Sequence, residues 1–131
     1  MSEEIIFDGV LVTISYIDNH WYLYKVKETD DKDLDKDATI NHFEIIRAHS
    51  KENAIKLIAD LSDLTKLPKD GSTVYFRENY NPNSVYAVVV KQPFIRLFIT
   101  QTSRFRGIKN LKVFKTYKDA MKWIMSTDIK S

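Results

Sequence analysis

At 131 residues, with 44% hydrophobic and 29% charged side chains, the chain has the size and composition of one soluble globular domain. It has no cysteine, which excludes disulfides, thiolate metal centres and a cysteine nucleophile. Its three glycines, Gly9, Gly71 and Gly107, write neither a phosphate-binding loop nor a dinucleotide fingerprint, and no G-x-S-x-G elbow is present.

Along the chain, "GVLVTISYIDNHWYLYKVKE" gives two β-rich runs, Val10 to Ile17 and Trp21 to Lys27, split by Asp18-Asn19-His20, a hairpin turn. The charged stretch "TDDKDLDKDA" then leads into a helix with Asp33 as its cap. Leu34, Ala38 and Ile45 share one side of it, Phe43 and Ile46 widen the stripe, and it ends near Ser50. Ala54 to Leu61 is a nearly continuous apolar strand, the pattern of an interior position. After a polar crossing, a helix is expected over about Ser72 to Asn79, stopped by "NPN" at 81–83. "SVYAVVVK" (84–91) is a second interior strand. Pro93 opens a third helix with Phe94, Leu97 and Phe98 as its core stripe. A turn at "RFRGIKN" precedes the short strand "LKVFK". Thr116 caps a last helix in which Tyr117, Ala120, Trp123 and Ile124 share a face. The order β-β-α-β-α-β-α-β-α predicts a mixed sheet in a single α/β domain: an antiparallel pair, then parallel strands joined by crossover helices.

The net charge of +2 conceals an asymmetry. Residues 1–90 hold 10 Lys/Arg against 16 Asp/Glu, whereas residues 91–131 hold 10 against 2. Interspersed as these charges are, the two halves are expected to face each other and cancel; the alternative is a basic face for an acidic partner. No apolar run reaches the ~20 residues of a membrane span, and the acidic start "MSEEIIFDGV" is unlike a secretory signal. A cytoplasmic protein without a membrane span is expected.

Candidate chemical groups read mostly as structural ones. His42 and His49 lie seven apart on the first helix, whereas zinc on one helix uses i, i+4 and needs a third ligand, so no metal site is expected. Asp60, Asp63 and Asp70 bracket a strand exit, where paired carboxylates would serve acid–base work or hold a divalent cation; loop solvation and helix capping by Asp70 are the expected roles. Arg96, Arg104, Arg106 and Lys109, interleaved with Phe98 and Phe105, form a basic-aromatic pattern. An isoelectric point near 8.7 is modest for a nucleic-acid binder, and specific nucleic-acid binding is not expected.

With these residues in place, the chain resembles the STAS domain, closest to the small SpoIIAA-like anti-sigma-factor antagonists of bacteria that occur as stand-alone proteins. "LIADLSDLTKL" is similar to the family's "DLS" strand and its exit, "YAVVV" to the following strand, and "VFKTYKDAMKWI" to the ending of the "EALxWL" kind. The resemblance spans about residues 9 to 127. It implies a STAS-like fold and a regulatory, non-catalytic interaction module without a cofactor. In the antagonists a kinase phosphorylates a serine in an Asp-Ser-Ser-Gly loop; laid on this chain without gaps, that loop becomes Pro68, Lys69, Asp70 and Gly71. Lys69 cannot accept phosphate, so the usual switch is absent from its place, while Ser72 and Thr73 just beyond are read as ordinary helix-start residues. The expected partner is a protein, a second copy of the chain included, bound through Pro68, Lys69, Asp70, Gly71 and Ser72. The alternative is a small anionic ligand or lipid head group held by Arg96, Arg104 and Arg106.

Overall fold

The computed structural model describes residues 2–27, 36–63, 81–105, 107–108 and 110–129. Among them the elements run β1 (Glu3–Asp8), β2 (Val12–Ile17), β3 (Trp21–Val26), α1 (Lys36–His49), β4 (Lys56–Asp60), β5 (Val85–Val89), α2 (Pro93–Phe105), β6 (Leu111–Phe114) and α3 (Tyr117–Ser126). The Asp33 cap and the helix expected over 72–79 lie outside the described residues.

The predicted hairpin joins β2 to β3. Asp18 and Asn19 take φ of 52° and 55°, and the His20 amide donates to the Ile17 carbonyl at 2.8 Å. Asp and Asn tolerate this left-handed conformation better than most residues, which is why the turn falls there. An unexpected strand precedes the hairpin: β1 pairs antiparallel with β2, with a bulge between Ile5 and Phe7. Its sequence, EEIIFD, has no period-2 alternation, because an edge strand with half-covered faces does not require one.

The six strands lie in the order β1-β2-β3-β4-β5-β6, the same as the chain order. β1, β2 and β3 form an antiparallel meander, and β3 to β6 are mutually parallel. Right-handed crossovers that step steadily in one direction leave their helices on one face. Accordingly Ile46 of α1 packs with Tyr22, Tyr24, Leu57 and Tyr86, and Ile95 of α2 packs with Val88 and Val90 on that same face. α3 returns across the other face, where Ala120 and Ile124 meet Ile58, Val85, Ala87 and Val89. Both expected interior strands are interior, and every residue of β5 is buried. Thr116 caps α3, its hydroxyl oxygen accepting the Asp119 amide at 3.2 Å.

Two features were not apparent in the sequence pattern. Because strand order equals chain order, the acidic first strand and the basic last strand stand at opposite edges of the sheet and do not face one another. Leu34 and the Ala38 side chain lie outside the described residues; Ile46 is buried and Phe43 and Ile45 pack half-buried against the core as expected, but Thr39 and His42 are buried beside them, so the inward side of α1 also carries polar groups. Histidine and threonine enter this core because tyrosines of β3 satisfy them. The Tyr24 hydroxyl lies 2.9 Å from His42 Nδ1, and the Tyr22 hydroxyl 2.6 Å from His49 Nδ1. His49 turns Nε2 toward Glu4 at 3.5 Å, which leaves Nδ1 as the acceptor for Tyr22 when the ring is neutral.

Candidate interaction site

α2 is built to expose apolar surface. Pro93 stands at its first position, where a missing N–H costs nothing. Gly107, at φ 74°, ends it: the Gly107 amide donates to Arg104 O at 3.0 Å and the Ile108 amide to Ser103 O at 2.9 Å. Between these ends Ile95 and Ile99 settle on Val88, Val90, Leu111 and Val113. Phe94, Leu97 and Phe98, expected in the core, are instead 75%, 56% and 48% exposed. The reason is geometric. Successive helical residues are about 100° apart, so a stripe at 94, 97 and 98 and another at 95, 99 and 103 point to nearly opposite sides. Only one can meet the sheet, and the compact isoleucines and Ser103 fit against closely spaced parallel strands.

The charges carried by this stretch of chain have one sign. No Asp or Glu occurs between Glu78 and Asp119, while Lys91 and Arg104 are exposed at either end of the helix. Arg96 is occupied: its Nη1 donates to the carbonyls of Val90 at 3.0 Å and Lys91 at 2.6 Å, closing the end of β5. Arg104 lies eight residues away, about 12 Å along the helix axis, so the two do not converge on one anion. Arg106 and Lys109 lie outside the described residues, as do Pro68, Lys69, Asp70, Gly71, Ser72 and Thr73.

The strand exit is sparse in chemistry among the described residues. Asp60 is buried at the end of β4 and its Oδ1 accepts the Ser62 amide at 3.0 Å, a local turn contact. Asp63 is half-buried, and Asp70 is outside the described residues. His42 and His49 are each matched to a different tyrosine, and no group of three His, Cys, Asp or Glu gathers among the described residues. Burial first, and then the neighbouring Tyr16 and Glu4, push the Tyr22 hydroxyl up to about 12. Burial also raises Tyr24, opposed by a hydrogen bond with Thr39.

A small cleft of about 150 Å³ sits at the opposite end of the sheet, where the end of α1 meets the beginnings of β4 and β5. Phe43, Ile46, Arg47, Asn53, Ser84 and Tyr86 are among its walls, and neither Arg96 nor Arg104 borders it. Several of its polar groups already hold the local loops: the Ser84 hydroxyl accepts the Ile55 amide at 2.9 Å, and the Tyr86 hydroxyl accepts the Asn81 amide at 3.0 Å. The exposed α2 face was legible as an apolar stripe but not as surface, since periodicity marks a stripe without saying which of two the sheet selects.

No helix among the described residues is long and apolar enough to cross a membrane. No protein-family model, no curated protein and no solved structure matches the chain.

Proposed function

We propose that the protein is a non-catalytic, STAS-like interaction module that binds an acidic, apolar segment of a protein partner through α2. The observation that carries this reading is the outward stripe Phe94–Leu97–Phe98 on a helix already anchored by its other side. A helix that is apolar on two opposite sides is at rest only when both are covered. Each of these side chains, once covered, contributes on the order of 1.5–3 kcal/mol before the costs of association. Lys91 and Arg104 at its ends favour a partner with carboxylates flanking its apolar residues.

The STAS-like part of the reading draws on the mixed sheet, its antiparallel opening and the capped final helix. It places a second contact at Pro68–Ser72 and, with Lys69 in the serine position, makes binding constitutive. Capture from native lysate by the wild-type protein, Leu97→Glu and Lys69→Glu tests both contacts. The expected result is a protein retained by the wild type and lost by Leu97→Glu, with equal melting temperatures. Identical captures by wild type and Leu97→Glu would overturn the α2 assignment. Loss with Lys69→Glu alone would place the partner at the loop. Stoichiometric phosphate on Ser72 or Thr73, read by intact mass, would overturn constitutive binding.

A further inference from the structure

Among the described residues the sheet ends in two edge strands of opposite charge that run in the same direction. β1 is antiparallel to β2 and β2 to β3, so β1 points the same way as the parallel strands β3 to β6. Among the described residues no strand lies beyond β1 or β6. β1 carries Glu3, Glu4 and Asp8; β6 carries Lys112, with Lys115 directly after it. The acids have partners within the chain, Glu3 accepting the Ser15 hydroxyl at 2.9 Å, Glu4 facing His49 and Asp8 pairing with Lys27 at 2.7 Å, and all three line this rim.

We infer that copies of this chain associate head to tail, β6 of one beside β1 of the next in a parallel pairing that continues the sheet. The bulge after Ile5 confines regular pairing to Glu3–Ile5, which matches the short β6. Setting Glu3 opposite Lys112 brings Ile5 opposite Phe114. All four side chains then stand on the face that carries α3: Glu3 and Ile5 lie across from Ile17 and Ser15, and Phe114 packs against Trp123. Ile5, 60% exposed, gains an apolar neighbour, and Lys112, now above the Phe114 ring at 5.5 Å, gains a carboxylate. The charges also select the mode. Two β1 edges repel, two β6 edges repel, and only unlike edges attract. Such a contact is heterologous and does not close on itself, so it yields a concentration-dependent series of species and not one discrete dimer. It uses a surface separate from α2.

Sedimentation velocity at low ionic strength over a concentration series, with wild type, Glu3→Lys, Lys112→Glu and an equimolar mixture of the two variants, tests the inference. Wild type is expected to sediment faster as concentration rises, and less so at high salt. Each reversal alone is expected to weaken association about tenfold. In the mixture the edges of one variant are complementary to those of the other, so association recovers well above that of either variant alone. Melting temperatures near wild type show that the variants fold. A wild type that stays monomeric at every concentration, a reversal that associates like wild type, or a mixture that stays monomeric would each overturn it. Association lost in Leu97→Glu but kept in both reversals would also overturn it, placing the self-contact on α2; a Leu97→Glu protein that still associates separates this result from the fate of the proposed function.

Discussion

α2 and α3 are helices of similar length that pack on opposite faces of one sheet, and each has an apolar stripe plain in the sequence. α3 sets Ala120 and Ile124 fully against β4 and β5. α2 sets down its narrower isoleucine side and leaves two phenylalanines and a leucine in solvent. The difference lies in how many apolar sides each helix has. α3 has one, so burial and periodicity agree; α2 has two, and the sheet can satisfy one. An apolar stripe is therefore a reliable sign of burial only where its opposite side is polar.

The sharpest way to break this comparison is to put a charge beneath each helix. Ile58→Asp under α3 and Val88→Asp under α2 would each strand a carboxylate in a core position, with an expected loss on the order of 3–5 kcal/mol in denaturant unfolding. A Val88→Asp protein that melts like wild type would mean α2 does not seal that side of the sheet. One step smaller, Ile124→Ala removes a fully buried side chain of α3 and is expected to cost about 2–5 kcal/mol. Removing the α3 cap with Thr116→Ala is expected to cost about 1 kcal/mol, measured in the same way.

α1 supplies a contrast of another kind, since its packing is polar where that of α3 is aliphatic. Tyr22 is raised above its ordinary value near 10, so the fold favours its protonated form. That contribution is complete below pH ~10 and is lost as pH rises toward the folded value of about 12. Thermal melts across that range should show a steep alkaline decline in the wild type and a shallower one in Tyr22→Phe; equal slopes would mean the hydroxyl is not held in this way. The smallest expected effect is the most telling for α2: Leu97→Ala should shift stability by no more than about 0.5 kcal/mol, against the large loss for Ile124→Ala.

Most of the local architecture was legible in the residues. Asp18-Asn19, Pro93, Gly107 and Thr116 act through their own backbone or side-chain preferences, which need no distant partner. The runs at β4 and β5 declared interior strands because a strand covered on both faces must be apolar on both. β1 was missed because an edge strand imposes no pattern, and His42 could be placed in the core only once Tyr24 was known to stand opposite it.

By itself, then, the sequence determined where β2 turns into β3, where α2 and α3 begin and that β4 and β5 lie inside, since these depend on short-range conformational preference and on total apolarity. Tertiary structure alone decided which stripe of α2 faces the sheet, and that the strand bearing Glu3 and Glu4 and the strand bearing Lys112 become its opposite edges. Both are choices between arrangements of equal local cost. The close packing of Ile95 and Ile99 on β5 and β6 settles the first. The second follows from an antiparallel meander and then crossovers that all step the same way along the sheet, carrying Glu3 to one edge and Lys112 to the other.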